Sequence, residues 1–467
     1  MKGRFRTVAL TTAAFAAGIV AGPMVASPIV QAFAQEGGRA DTYRLLNLFG
    51  DVFERVRAEY VEPIVDRDAI ENAINGMLIG LDPHSSYLNQ RSYRDMQVQT
   101  RGEFGGLGIE VTQENGFIKV ISPIDETPAA RAGVKAGDLI THLNGNSVQG
   151  LSLQEAVEQM RGERGSSLKI TIRREGTDRP IELSLTREVI RPQVVRFRME
   201  GPDIGYIRLT SFNEQTDAGL RRAVTSLRGQ AGAGGLKGIV LDLRNNPGGL
   251  LDQAVQVSDD FLEQGEIVST RARRSEDAQR WNAKAGDITQ GVPLVVLING
   301  GSASASEIVA GALQDHRRAI VLGVKSFGKG SVQTVMPIPG NGAIRLTTAR
   351  YYTPSGRSIQ GTGIEPDIEV LAQRQEATAN IPRERETDLR RALRNEGGVQ
   401  QPAGAAIPPL QLPAGVAERV TRLPAEGAPA FDPAKPETDF QLQQAVGLLR
   451  NLVAAAPPAP GRRAAVR

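Results

Sequence analysis

Pro293-Leu-Val-Val-Leu-Ile298 is an uninterrupted apolar run. It leads directly into Asn299-Gly-Gly-Ser-Ala-Ser-Ala-Ser-Glu307 and then into Ile308-Val-Ala-Gly-Ala-Leu313. The first segment reads as a buried strand and the last as a helix, with only small residues to make the turn between them. Such a turn presents a serine hydroxyl at a helix N-terminus, where backbone N–H groups and the positive end of the dipole favour a developing oxyanion. Ser302, Ser304 and Ser306 all sit in the turn, and any of them could cap the helix. Spacing alone does not rank them.

Serine is a poor nucleophile unless a base takes its proton. Beyond the turn lies Ser326-Phe-Gly-Lys-Gly-Ser-Val-Gln333, with a lysine between two glycines. A lysine can serve as the base only if desolvation pulls its pKa from about 10.4 toward neutrality. Lys329, beside Phe327 and just ahead of an apolar strand, suits that demand. Lys325 follows a strand end and reads as a solvated surface charge. The serine turn and Lys329 together read as a serine/lysine dyad.

Composition removes competing chemistries. The chain has 467 residues, a length that suggests about three domains. It carries 55 basic against 52 acidic residues, and aromatics make up only 4%. With no basic stripe interleaved with aromatics, nucleic acid is not an expected partner. There are no cysteines, hence no thiol nucleophile and no disulfide framework. The three histidines are scattered. His316 falls at the far end of the helix after the serines, roughly 18 Å from Ser304 at about 1.5 Å per residue. His84, in a Pro-His-Ser turn, and His142, in a strand, read as remote from the serine turn. No zinc site is expected, and no metal or organic cofactor is implied.

At the N-terminus Lys2, Arg4 and Arg6 precede an apolar stretch from Val8 to Val25, and Ala32-Phe-Ala34 fits a small-x-small cleavage site. Residues 1–34 therefore read as a signal peptide, or as an inner-membrane anchor if uncleaved. Either way the remainder is exported, most simply to a bacterial periplasm. No later stretch is long and apolar enough to span a bilayer.

Residues 41–96 read as a helical region. Leu45, Leu48, Val52, Val56 and Tyr60 line one face of a first helix, and Asp66 to Leu81 form a second, stopped by Pro83. Residues 97–187 change to short strands broken by glycine. Within them Phe104-Gly-Gly-Leu-Gly-Ile-Glu-Val111 resembles the carboxylate-binding loop of PDZ domains, where successive N–H groups near Gly106, Leu107, Gly108 and Ile109 capture a chain terminus. From 188 to 370 strands and helices alternate, as in a mixed α/β sheet. Residues 371–467 hold 12 of the chain's 27 prolines. They read as a disordered Pro/Ala-rich tail interrupted by a short helix near 439–452.

The serine turn and the lysine motif, with Arg244-Asn-Asn-Pro-Gly-Gly249 upstream of both, resemble the C-terminal processing (tail-specific) protease family. The resemblance runs from about Tyr43 to Val370. It implies an α/β multidomain serine peptidase with an embedded PDZ domain and a core similar to the crotonase and caseinolytic-protease architecture. It places the nucleophile at Ser304, with Ser302 and Ser306 structural, the base at Lys329, and a third catalytic position at Gln333, whose amide would orient the lysine without charging it. Pro247-Gly-Gly249 offers bare backbone for a close approach. The N–H groups of Gly249 and Ala305 are accordingly the expected oxyanion hole, with Arg244 and Asn245 shaping the turn and Glu307 favouring the helix N-terminus. The expected function is exported C-terminal processing of proteins with nonpolar C-termini, with a homodimer through the N-terminal helices and an adaptor as further partners. The competing reading is a catalytically silent PDZ-containing scaffold that binds peptides or lipids.

Overall fold

The computed structural model describes residues 28–124, 126–177, 179–373, 385–395, 410–429 and 435–455. The apolar stretch Val8–Val25 lies outside them. Among the described residues no helix is long and apolar enough to cross a membrane.

The N-terminal part is a helix over Pro28–Glu59. Its apolar residues Leu45, Leu48, Val52 and Val56 are exposed. A second helix, Asp66–Ile79, begins with Asp66 and Asp68 in its first turn, where acidic side chains suit the helix dipole.

The segment with the glycine-broken strands is a six-stranded antiparallel sheet: Ile109–Glu114, Phe117–Pro123, Leu139–Leu143, Ser167–Arg173 and Ile181–Thr186 in order, with Asn146–Ser147 also paired to Leu139–Leu143. Ile118, Val120, Ile140, Leu168, Ile170 and Ile172 fill its core, one face of each strand pointing inward. Helix Leu153–Met160 is held by a capping box between Ser152 and Glu155. Strand Ile109–Glu114 lies at the sheet edge and opens directly from Gly108. Gly108 has φ +76°, and a Cβ there would fall 2.3 Å from Thr127.

The α/β core is a six-stranded sheet. Val195–Glu200 runs antiparallel to Ile204–Leu209, which is followed in parallel by Gly238–Asp242, Leu294–Ile298, Ala319–Gly323 and Ile368–Glu369. The three central strands are buried at every residue, as parallel strands covered on both faces must be. Ile239, Leu241, Leu294, Val296 and Ile298 face helices Thr216–Gln230, Leu251–Asp259 and Ala305–Asp315. Val240, Val295 and Leu297 face the opposite way, and what covers them comes from the C-terminal region.

That region is more than the linker its composition suggests. Residues 410–429 and helix Phe440–Ala455 pack Val416, Val420, Leu442, Ala445 and Leu449 onto the second face of the sheet. The helix expected near 439–452 is thus part of the core. The sheet's exposed apolar face supplies the burial that proline-rich flanks do not, about 1.5–3 kcal/mol for each large aliphatic side chain.

A second sheet joins Ser86–Leu88, Gly342–Tyr352, Glu266–Ala272 and Arg280–Asn282, with Ser331–Ile338 also paired to Gly342–Tyr352. One strand of the 41–96 segment is therefore built into the same sheet as the long strand Gly342–Tyr352. This sheet carries the lysine motif.

Candidate active site

Ser304 immediately precedes helix Ala305–Asp315 and sits at φ +54°, ψ −113°. A non-glycine residue is held there only when its surroundings over-determine it, and the surroundings are dense. Ser302 Oγ donates to Leu243 O at 2.8 Å and accepts from Asn299 N at 3.0 Å. Ser306 Oγ donates to Asn246 O at 2.9 Å. Both side chains are fully buried and spent on backbone, whereas Ser304 is half-buried. Of the three serines, Ser304 is the one presented.

The Arg244–Gly249 loop is laced to this turn. Asn245 N donates to Asn299 Oδ1, and Asn299 Nδ2 donates back to Asn245 Oδ1. Ala303 N donates to Asn246 O. Gly248 backs directly onto the serine: a Cβ there would lie 2.9 Å from Ser304 Cβ and 2.9 Å from Ala305 N. Gly249, at φ +144°, has equally little room, since a Cβ would fall 2.0 Å from Phe212 O. Neither the Gly249 nor the Ala305 N–H meets an acceptor among the described residues. Two unspent donors flank Ser304, an arrangement suited to an oxyanion.

Glu307 links serine and lysine, a role the sequence reading missed by assigning it only to the helix dipole. Its side chain is fully buried. Oε2 accepts from Ser304 N at 2.7 Å and from Lys329 N at 2.9 Å. Oε1 accepts from Ser326 Oγ at 2.5 Å and Gly328 N at 2.6 Å. The two catalytic candidates are thus bridged, backbone to backbone, by one carboxylate oxygen. Burial pushes the Glu307 carboxyl up to about 7, although all four donors pull the other way. Nothing in a glutamate on the first turn of a helix announces a partner more than twenty residues downstream.

Lys329 is half-buried, and its Nζ has no ion pair or hydrogen bond among the described residues. Desolvation lowers its pKa, and the Arg345 guanidinium lowers it further. Glu386, Glu307 and Asp82 raise it, without reversing the net direction. Lys325 is instead ion-paired to Glu365 at 2.6 Å, as a surface charge would be.

Gln333 lies on the strand that leaves the lysine loop, opposite Thr347. The bond expected from its amide to Lys329 is not made. Nε2 donates to Ser331 Oγ at 2.9 Å and to Thr347 Oγ1 at 3.4 Å. A bulge between Val332 and Gln333 breaks the alternation of the ladder, and bulges re-aim side chains in this way.

His316 caps the far end of the serine helix and bonds Glu266 O, and His142 stays in the PDZ sheet beside Thr141. His84 departs from expectation. Its Nε2 meets both carboxylate oxygens of Glu386, at 2.9 and 2.8 Å, and Glu386 N donates to Phe327 O in the lysine loop. The chain separation of the two hid this contact. In the PDZ loop, the N–H groups of Leu107 and Gly108 find no acceptor among the described residues, and the carbonyls of both are engaged by Ala129 and Ile124.

Two clefts adjoin the site. One of about 720 Å³ is lined by Phe104, Arg161, Phe212, Gly249 and Arg345. Another of about 870 Å³ is lined by Leu251, Thr270, Trp281, Val332 and Thr347.

Residues 203–370 match peptidase family S41 and residues 105–185 match the PDZ domain family. A carboxy-terminal-processing protease of Bartonella bacilliformis is 51% identical over 90% of this chain and 92% of its own length. The carboxy-terminal processing protease CtpA of Bacillus subtilis is 36% identical over 68% of this chain and 67% of its own. A solved photosystem II D1 C-terminal processing protease is 32% identical, covering 69% of this chain and 92% of that one at a TM-score of 0.41. A PDZ unit joined to an S41 α/β core defines a serine-type peptidase rather than a silent binding scaffold. The chain belongs to the carboxy-terminal-processing proteases.

Proposed function

We propose that Ser304 is the nucleophile and Lys329 the general base. Support comes above all from Glu307 Oε2, which accepts from the N–H of both residues and so holds the two loops in register. Neutral Lys329 accepts the proton as Ser304 Oγ attacks the scissile carbonyl. The resulting oxyanion lies between the N–H groups of Gly249 and Ala305, each worth about 3–4 kcal/mol to the transition state. The lysine then returns the proton to the leaving amine. The remaining acyl-enzyme is attacked by water, with the same lysine as base. Gln333 is the third member: from its place on strand Ser331–Ile338 its amide would reach Lys329 Nζ by a change of side-chain rotamer away from Ser331 and Thr347.

The PDZ unit captures the nonpolar C-terminus of a protein substrate. The unspent N–H groups of Leu107 and Gly108 take the terminal carboxylate, and the edge strand Ile109–Glu114 accepts the chain as an added strand.

Ser304→Ala and Lys329→Ala, each in the full chain, should abolish cleavage of casein while leaving the circular dichroism spectrum unchanged. Full activity in Lys329→Ala would remove the dyad.

The basic and apolar N-terminal residues support export to a bacterial periplasm after cleavage behind Ala34. The exposed stripe of helix Pro28–Glu59 supports a homodimer, and an adaptor would deliver substrates to it. N-terminal sequencing of protein recovered from the periplasm should begin at Gln35, and light scattering should give twice the chain mass. A start at Met1, or a monomer, would count against these assignments.

A further inference from the structure

Residues 385–395 lie in the C-terminal region, yet they pass over the lysine loop as a strap. Glu386 is fully buried, and its N–H donates to Phe327 O at 3.2 Å. Its carboxylate accepts from His84 Nε2 and, at 2.9 Å, from Gln360 Nε2. Gln360 is also fully buried. It accepts from Gly330 N at 3.0 Å and donates to Leu393 O, farther along the strap. Both neighbours of Lys329 are thereby pinned: Gly330 through Gln360, and Gly328 through its carbonyl to Gly361 N.

The contact continues beyond His84. Its backbone N–H donates to Asp82 Oδ1, and its carbonyl accepts from Arg345 Nε. Asp82 accepts from Thr347 Oγ1 at 3.0 Å, and Thr347 Oγ1 accepts from Gln333 Nε2. A chain of polar contacts thus runs from the strap carboxylate to Gln333. A buried carboxylate with two side-chain donors, placed behind an unpaired lysine, is costly to build unless it holds something.

We propose that Glu386, paired with His84, is a positioning residue for Lys329, supplied to the active site by the C-terminal strap. This rests on the reading of Lys329 as base. The strap aims the lysine and supplies negative potential behind it. The charged and titratable groups around Lys329 come from four elements: Arg345 on strand Gly342–Tyr352, Asp82 ahead of strand Ser86–Leu88, Glu307 on the serine helix, and Glu386 on the strap with its partner His84. Burial and Arg345 lower the lysine pKa, and Glu386 opposes them. Removing its charge therefore lowers the pKa further.

The test compares kcat and KM for casein from pH 5 to 10 in the full-length protein, Glu386→Gln, Glu386→Ala and Lys329→Ala, with melting temperatures for each. Glu386→Gln should move the acid limb of kcat to lower pH by at least about half a unit, the size of a modest nearby charge effect. Glu386→Ala should lose about tenfold in kcat with KM within twofold, the signature of a misaimed group rather than lost binding. If Glu386→Ala does not fold, Glu386→Gln alone decides. A folded Glu386→Gln whose acid limb coincides with the wild type overturns the proposal, whether or not its rate has dropped. Activity persisting in Lys329→Ala overturns the dyad instead, so the two failures are distinct.

Discussion

Lys329 meets two opposed demands, burial to neutralise its amine and a carboxylate lattice to hold its backbone. Its pKa in the folded state lies below the ordinary lysine value, with desolvation the main cause. The unfolded chain therefore binds that proton more tightly. The stability cost is complete below the folded-state pKa and is relieved as pH rises from there toward about 10.4. Lys329→Met, with similar volume and no charge, should be more stable than the wild type at pH 7 by about 1 kcal/mol, or about 2–4 °C in melting temperature. The gap should close as pH approaches 10. A variant no more stable at pH 7 would show that the amine carries no burial cost. With Lys329 as the proposed base, rates should fall as pH drops through the lowered lysine pKa, because only the free base accepts a proton. Residue identity was legible in the sequence where local surroundings decide it. Lys329, between glycines, could be separated from Lys325 at a strand end. Glu307 could not be understood this way, because three of its four donors come from the far side of a strand and a turn.

At the scale of elements, the unit from Leu294 to Asp315 is encoded locally: a strand apolar on both faces, a turn of small residues, and an apolar helix. The turn is feasible because Gly248 gives the serine room and because Ser302 and Ser306 tie it down from below. The PDZ strands were readable for the same reason, since period-two patterning and glycine turns act over a few residues. The orientation of Gln333 was not. It depends on a bulge, and a bulge reflects how two strands meet across the sheet rather than either strand's own pattern. Composition also misled for the C-terminal region. Prolines and alanines mark a linker on average, but a few aliphatic residues at helical spacing suffice once an apolar sheet face is available to receive them.

At the scale of the whole molecule, Arg244 couples that C-terminal helix to the Arg244–Gly249 loop beside Ser304. Its guanidinium bonds both oxygens of Asp242, both oxygens of Asp439 and Gln441 Oε1, all of them buried. Asp439 also accepts from Leu442 N at the start of the helix. Asp439→Ala leaves a buried guanidinium short of its partners and removes a cap, so it should cost about 3 kcal/mol, visible as a lowered melting temperature. A change under about 1 kcal/mol would mean that the helix docks by apolar contact alone. The sequence by itself determined the domain order, the strand–turn–helix that bears Ser304 and the lysine suited to partner it, because these follow from periodicity, turn chemistry and neighbouring residues. Only the tertiary structure decided that one buried carboxylate joins serine to lysine, that His84 and Glu386 meet behind the lysine loop, and that the proline-rich end closes the core. Those contacts join residues distant along the chain, and a sequence pattern carries no measure of distance across a fold.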